Sequence, residues 1–543
     1  MEKTILVGGA AGQGSAVTSH FIGKIFCGLG YYVFDYRDYP SLIRGGHNFN
    51  VLKISDKPVF SHGHKYDIIL ALDQKTIDIH EKNLRKEGFV IGSQDLKAKK
   101  IYSFDSHAIL NRLASPKVFE NNILIGILFK YLGVGKEYLF KTAEQEFKDK
   151  AGAVKKAIEE GYNLTEAKEK FGRAGSEKYL ITGNEAIAIG AVAGGLDAYI
   201  AYPMTPATPV LTFLERNQVK YNILTLQLEN EIAVINAALG ASFAGAKAMV
   251  GTSGGGFALM TEAISLAGMS ELPLVVYLGQ RTAPSTGVPT YTGQGDLKFA
   301  LNAGHGEFPR IVAAPGDPQE AILRTQEAFY LSSKYRVLSI ILGDKHLGES
   351  GYSFDNLEAS PLGNQRYIIN PSPDYKSYEI TNTGVSPRAL PGQGPVVRAT
   401  SYEHDEKGYT IEDPEWIIKM NKKRLKKENY FSKEIKKFNP VSVYGKGKNL
   451  IISWGSTKGA IVDAVPQLKD FRFLQISYIA PFPKEEVLKE IKKSKRVVLV
   501  ENNATGLLGD VIAEQTGRII KDKVLKYDGR PFTPEILIGE IKK

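Results

Sequence analysis

The chain has 543 residues, of which 43% are hydrophobic and 24% charged, with a single cysteine and a formal net charge of +10. At roughly 150 residues per domain that length suggests three or four domains, and the balance is that of a globular chain rather than a disordered one. One thiol, Cys27, excludes an internal disulfide and a cluster of iron and sulfur on this chain, which takes about four cysteine ligands.

The segment 1–140 alternates short β-branched runs with helical patterns. Strands are expected at 4–8, 31–35, 49–54, 67–72 and 100–104, and helices at 14–28 and 118–132, which implies a mostly parallel, helix-covered sheet. The start reads as a strand entering a glycine turn, not as a secretory leader. That turn, Gly8-Gly9-Ala10-Ala11-Gly12-Gln13-Gly14-Ser15, suits a phosphate or another anion at a helix start. It lacks the Lys-Ser/Thr ending of a P-loop, and the third glycine of a dinucleotide fingerprint is Val17. Asp35 after the second strand keeps a nicotinamide reading open; a plain packing turn is the other reading. In Arg44-Gly45-Gly46-His47-Asn48, Arg44 could clamp a phosphate, although a hairpin entry explains the run equally simply. His62-Gly63-His64 reads as a turn, without the spacing of a zinc site.

Residues 136–178, rich in Lys, Glu and Ala, read as a helical connector. A second α/β segment follows, with strands expected at 198–201, 223–227, 248–252, 274–278, 311–314 and 337–341. The apolar stretch 182–201 contains Glu185 and Asp197, which argues against a membrane span. Several strands end in glycine- or proline-rich loops, where open α/β sheets bind ligands. Tyr202-Pro203-Met204-Thr205-Pro206-Ala207-Thr208-Pro209 presents Thr205 on a rigid path, and Thr208 with Pro209 also makes a good helix start. In Leu228-Glu229-Asn230-Glu231-Ile232-Ala233, Glu231 leads into an apolar helix. It is expected to be partly buried, where a carboxyl can share a proton; favouring the helix dipole is the simpler role. Gly254-Gly255-Gly256-Phe257 allows close approach of a ligand or subunit. The polar loop from Gln280-Arg281 to Pro289-Thr290 has the length of a functional loop.

Residues 348–414 are loop-like and carry Glu403-His404-Asp405-Glu406-Lys407-Gly408. The basic run 419–437 reads as a solvated helix face with interleaved glutamates, or as a docking surface for an acidic protein; nothing accompanies it that points to nucleic acid. A third α/β segment covers 447–543, with strands at 449–454, 473–476 and 496–501. The expected architecture is three α/β domains in series.

Tyr-Pro-Met-Thr-Pro at 202–206, Glu-Asn-Glu-Ile-Ala at 229–233, Thr-Ser-Gly-Gly-Gly-Phe at 252–257, Pro-Ser-Thr-Gly-Val-Pro-Thr at 284–290 and Gln-Gly-Asp-Leu at 294–297 resemble, in order, motifs of the 2-oxoacid:ferredoxin oxidoreductases. Gly-Gly-Ala-Ala-Gly-Gln-Gly at 8–14 and Arg-Gly-Gly at 44–46 look like the γ domain of that family. The γ-then-α order and the segment 403–408 are most similar to its 2-oxoglutarate-type branch.

The resemblance implies an alpha subunit with a fused gamma domain at 1–178, a thiamine-pyrimidine-binding domain at 179–365, and a loop region with a transketolase C-terminal-like domain at 366–543. It implies that Glu231 hydrogen-bonds the aminopyrimidine of thiamine diphosphate and that Thr205 positions the 2-oxoacid. Tyr202, Pro203, Met204, Pro206, Gly254, Gly255 and Phe257 would contact the cofactor. Coenzyme A would meet the loop of Gly12, Gln13, Gly14 and Arg44.

Many family members carry a basic residue where this chain has Tyr291, so Arg281, Thr290 and Tyr291 are the substrate candidates. No Gly-Asp-Gly tripeptide occurs and there is one cysteine, so a partner is expected to supply the metal–diphosphate half-site and the cluster. The resemblance implies that this partner is a β subunit carrying Mg2+ and a 4Fe-4S cluster, in an αβ or α2β2 assembly that reduces ferredoxin, and a cytoplasmic location is expected. The competing readings are a nicotinamide-dependent dehydrogenase, a non-redox thiamine decarboxylase and a non-catalytic assembly subunit.

Overall fold

Runs such as Ile5-Leu6-Val7, Ile68-Ile69-Leu70 and Ile340-Ile341-Leu342 pack on both faces, so β-branched residues dominate them and they form buried strands. A computed structural model of the chain describes residues 1–42 and 45–543. It contains three sheets, distributed over two compact units.

The first unit comprises Met1–Thr182 with Glu349–Leu357 and Thr533–Gly539. Its eight-stranded sheet runs Ile101–Phe104, Leu84–Ser93, Tyr66–Ala71, Glu2–Ala11, Gly45–Ser55, Tyr32–Asp38, Gly351–Phe354, Tyr179–Thr182. The parallel arrangement expected from the sequence holds among the first four of these strands. Beyond Glu2–Ala11 every pairing is antiparallel: Gly45–Ser55 runs against both Glu2–Ala11 and Tyr32–Asp38, and Gly351–Phe354 runs against Tyr32–Asp38 and Tyr179–Thr182. The connector expected at 136–178 is part of this unit's core. Its helices Lys136–Phe147 and Ala151–Tyr162 bury Leu139, Ala143, Val154 and Ile158 with Phe21 and Leu128. Helix Ala151–Tyr162 meets Glu120–Tyr131 so closely that a Cβ on Gly161 would stand 2.0 Å from the Ile123 carbonyl oxygen.

The second unit comprises Gly183–Gly348, Glu358–Phe532 and Glu540–Lys543. Its seven-stranded sheet runs Tyr478–Ala480, Arg310–Ala313, Leu338–Asp344, Leu274–Gln280, Ala248–Thr252, Ala198–Ala201, Leu224–Gln227. All pairings are parallel except that of Tyr478–Ala480. The five-stranded sheet runs Val441–Gly445, Phe471–Ile476, Asn449–Trp454, Val497–Glu501, Asp522–Leu525. One apolar core joins both sheets, with Val276 and Ile340 beside Trp454 and Ile476.

The basic run departs from a solvated face. Helices Pro414–Lys426 and Glu428–Ile435 carry it, and Lys423, Arg424 and Lys427 are buried. Lys423 and Lys427 both pair with the buried Glu271, and Arg424 grips Glu403 with two hydrogen bonds of 2.8 and 2.6 Å. No helix among the described residues is long and apolar enough to cross a membrane.

Candidate active site

Four adjacent strands of the parallel sheet, Leu224–Gln227, Ala198–Ala201, Ala248–Thr252 and Leu274–Gln280, deliver the candidate residues in the loops after their C-terminal ends. Glu231 is the first residue of helix Glu231–Phe243, whose cap is Asn230: its side chain accepts the Ala233 N–H at 2.9 Å. Glu231 is 3% exposed, and its Oε1 has no hydrogen-bond partner among the described residues. A shielded carboxyl oxygen without a donor is a costly arrangement that a ligand donor would relieve. Gly256 forms the wall opposite: a Cβ there would lie 2.5 Å from Glu231 Oε1 and 2.2 Å from Thr252 Oγ1. Phe257 is fully buried and packs edge-on to Phe299 at 5.1 Å. A Cβ on Gly254 would lie 2.8 Å from Asp296 Oδ2. Burial pushes the Asp296 carboxyl up to about 6, against the pull of the Arg281 charge.

In the 202–206 loop, Met204 offers its carbonyl to the N–H groups of Ala207 at 2.8 Å and Thr208 at 3.2 Å. Thr205 is half-buried, and its carbonyl accepts a 2.8 Å hydrogen bond from Arg281 Nη1. Pro206 accepts one of 2.9 Å from Asn184 Nδ2, while Asn184 Oδ1 accepts from the Tyr277 hydroxyl at 2.9 Å. This buried Asn184–Tyr277 pair fixes the loop. Sequence reasoning missed it because the partners are 93 positions apart. The helix Thr208–Tyr221 starts where expected, with Pro209 in its first turn, but no side chain caps it, so Thr208 does not serve as the cap. Tyr202 is 39% exposed and Pro203 half-buried at the loop's outer edge, and Met204 Sδ lies 3.9 Å from Thr252 Oγ1.

The long loop closes on itself: Thr282 N–H donates to the Tyr291 carbonyl at 2.9 Å and Val288 N–H to the Thr282 carbonyl at 3.0 Å. Thr290 is buried, with its Oγ1 lacking a partner among the described residues. Tyr291 lies under Arg530, whose guanidinium carbon is 3.6 Å from the ring centroid. Gln294, fully buried, ties the loop to the second sheet of this unit through Trp454, Thr457 and Asn502. Thr205, Arg281, Thr282 and Tyr291 are thus brought together, with Arg530 added from the far end of the sequence.

In the first unit, Gly12 and Gly14 adopt positive φ between strand Glu2–Ala11 and helix Ser15–Gly28. The Gln13 amide is engaged in the turn itself, accepting the Ala10 N–H at 2.6 Å and donating to the Leu72 carbonyl at 3.2 Å. Arg44 lies outside the described residues. Asp35 does not face a ribose site. It accepts hydrogen bonds from Ser19 at 2.8 Å and Asn50 at 3.0 Å, and burial pushes its carboxyl up to about 6 against those donors. Strand Gly45–Ser55 separates Glu2–Ala11 from Tyr32–Asp38, so the βαβ unit of a dinucleotide fold is not formed, which overturns the nicotinamide reading. His62 is buried and stacks on Tyr36, centroids 4.1 Å apart.

Residues 189–423 match the family described as pyruvate flavodoxin/ferredoxin oxidoreductase, thiamine diP-bdg, and residues 4–164 match pyruvate ferredoxin/flavodoxin oxidoreductase. A 2-oxoacid:ferredoxin oxidoreductase subunit alpha of Saccharolobus solfataricus is 34% identical over 98% of this chain and 96% of the relative. The 2-oxoglutarate synthase subunit KorA of Methanocaldococcus jannaschii is 34% identical over 65% of this chain and 96% of its own length. The solved 2-oxoglutarate:ferredoxin oxidoreductase from Magnetococcus marinus, with 2-oxoglutarate, coenzyme A and succinyl-CoA bound, covers 100% of this chain and 99% of that one at TM-score 0.90 and 27% identity. With its ordered motifs, three α/β sheets and end-to-end matches, the chain belongs to the 2-oxoacid:ferredoxin oxidoreductases, as an alpha subunit of a multi-subunit enzyme.

Proposed function

We propose that this subunit, with a β partner, carries out the coenzyme-A-dependent oxidative decarboxylation of a 2-oxoacid, 2-oxoglutarate or pyruvate, to acyl-CoA and CO2, with electrons passed to ferredoxin. The observation that carries the reading is Glu231: a buried carboxyl oxygen without a donor, facing a wall where Gly256 leaves no side chain. Those residues fit the aminopyrimidine of thiamine diphosphate, whose ring nitrogen shares a proton with such a carboxyl. When bound, the cofactor supplies the nucleophilic carbon and the electron sink for decarboxylation.

Glu231 holds and returns the proton at the ring nitrogen. Thr205 positions the keto acid, and Arg281, anchored on the Thr205 carbonyl, keeps a positive charge beside it. Met204, Gly254, Gly255 and Phe257 shape the wall against the ring. The loop of Gly12 and Gly14 serves coenzyme A, with Gln13 holding the loop's shape.

The β partner carries Mg2+, the diphosphate half-site and the 4Fe-4S cluster, since this chain has one cysteine and no Gly-Asp-Gly. Cys27 is 1% exposed, and burial pushes its thiol up to about 12, so it is an inert core residue. The reading places the enzyme in the cytoplasm.

The test is co-expression with a β subunit, followed by assay of pyruvate, 2-oxobutyrate and 2-oxoglutarate. A brown complex with bound thiamine diphosphate and coenzyme-A-dependent viologen reduction is expected. Turnover that needs neither coenzyme A nor an electron acceptor, or a complex that turns over no 2-oxoacid, contradicts the reading.

A further inference from the structure

The glycine wall of the site stands between two carboxyl groups. On one side Gly256 closes on Glu231. On the other, a Cβ at Gly254 would lie 2.8 Å from Asp296 Oδ2 and 3.2 Å from Oδ1, so the Asp296 carboxylate rests on that glycine with both oxygens. Its backbone is pinned: the Asp296 N–H donates to Gln280 Oε1 at 3.0 Å, and the fully buried Gln280 donates from Nε2 to the Gly343 carbonyl at 3.0 Å. Asp296 precedes helix Leu297–Asn302, yet its side chain does not cap that helix and accepts no hydrogen bond from the described residues. Among those residues the charge that acts on it is Arg281, which directly follows Gln280 and donates to the Thr205 carbonyl at 2.8 Å. The other ionisable groups nearby are engaged elsewhere or set apart. Lys298 of the same helix pairs with Asp510 at 3.2 Å and Glu514 at 2.9 Å, and Tyr291 of the same loop lies under Arg530. Strand Leu274–Gln280 carries Tyr277, which donates to Asn184 at 2.9 Å. Helix Gly254–Leu259 holds no titratable residue, and Glu231 lies across Gly256.

A 2-oxoacid enters as an anion. Drawn to the Arg281 charge beside Thr205, its carboxylate shares one guanidinium with Asp296, and two carboxylates in one partly buried site disfavour each other's ionised form. The substrate is the stronger acid, because its keto group withdraws charge, so the protein's carboxyl is the one that gives way. Burial already pushes Asp296 up to about 6, against the pull of Arg281. We propose that Asp296 is a positioning residue acting through Arg281: it takes up a proton from solvent as the 2-oxoacid binds, and so yields the guanidinium to the substrate carboxylate. That proton makes and breaks no bond to carbon. It returns to solvent once CO2 has left and Asp296 is again the sole anion beside Arg281. The assignment rests on the function proposed above and adds to it a coupling of substrate binding to pH.

The measurement is kcat/KM between pH 6 and 8 for the fastest-turning acid of the panel above, at saturating coenzyme A, in the complex reconstituted with its β subunit. In the wild type it falls as pH rises, approaching about tenfold per unit, because only the protonated form yields Arg281. Asp296→Asn, which keeps the shape of the neutral form, flattens the profile and exceeds the wild type by about tenfold at pH 8, with the change in KM. Asp296→Ser carries the same expectation and decides the matter if the asparagine form does not assemble. Ionisations elsewhere, that of the coenzyme A thiol among them, are common to the proteins and drop out of the comparison. A wild-type profile that does not fall with pH, a variant that keeps the wild-type slope, or one that lies below the wild type at every pH overturns the assignment while leaving the proposed function standing. A wild-type complex that turns over no 2-oxoacid overturns both.

Discussion

A carboxyl oxygen shut away from water and left without a donor costs about 1–3 kcal/mol, so its persistence at Glu231 points to a partner that arrives with the ligand. The neighbouring glycine is part of the same device. Gly256→Ala places a methyl 2.5 Å from Glu231 Oε1 and against Thr252 Oγ1, both of them atoms of buried side chains. We expect this substitution to displace the Glu231 side chain, to cost about 1–3 kcal/mol in thermal or urea unfolding, and to lower kcat in the complex. Unaltered stability together with unaltered kcat would show that the wall is not as tight as described. At this scale the sequence was partly legible. A glutamate at the head of an otherwise apolar helix announces a special position, and Thr205 between two prolines announces a fixed one. Arg530 over Tyr291 and the Asn184–Tyr277 pair were not legible, because contacts between residues hundreds or tens of positions apart leave no local pattern.

The elements show where charge overrides pattern. The basic helix Pro414–Lys426 and its successor were expected in solvent, yet Lys423, Arg424 and Lys427, spaced to share one face, are buried. Burial alone would push the Glu271 carboxyl up, but Lys423, Lys427 and Arg336 outweigh it and hold it well below the usual carboxylate range. Burial, against the pull of Glu271, brings the Lys427 ammonium down to about 7. The signs follow. Glu271 has a depressed folded pKa, so its contribution is present at neutral pH and is lost as pH falls below the ordinary carboxylate value of 4.5. Lys427 is depressed from 10.5, so between pH 7 and 10.5 the unfolded chain holds more protons and stability rises with pH. Glu271→Gln therefore leaves buried cations uncompensated and costs about 3–5 kcal/mol at pH 7. Lys427→Met removes the surplus charge and costs less at pH 7, and its cost relative to wild type grows as pH rises from 7 to 10, because only the wild type gains stability over that range. Urea melts of the three proteins at pH 7 and pH 9 decide this; equal losses in both variants would contradict it.

The same competition explains the strands that the pattern did not reveal. Leu84–Ser93 opens on Leu84-Arg85-Lys86-Glu87, whose charged residues are exposed, and Val441–Gly445 is only partly buried at a sheet edge. The buried β-branched strands of the parallel sheet were legible because both of their faces are covered.

At the scale of the whole molecule, two units are each completed by distant sequence. Strand Gly351–Phe354 completes the first sheet, and Tyr478–Ala480 adds an antiparallel edge to the central one. Neither join could be read from periodicity, since each strand is only three or four residues long. A single cysteine and the missing Gly-Asp-Gly are the compositional grounds for the proposal that another chain holds the cluster and the metal.

The proposed function turns on a proton exchanged between Glu231 and a bound ring. The most direct measurement is kcat for coenzyme-A-dependent viologen reduction by the reconstituted complex carrying Glu231→Gln, a change that keeps size and packing but removes the ability to exchange that proton. The account predicts a fall of about a hundredfold or more, with assembly and brown colour retained. An assembled Glu231→Gln complex that turns over at the wild-type rate would contradict it.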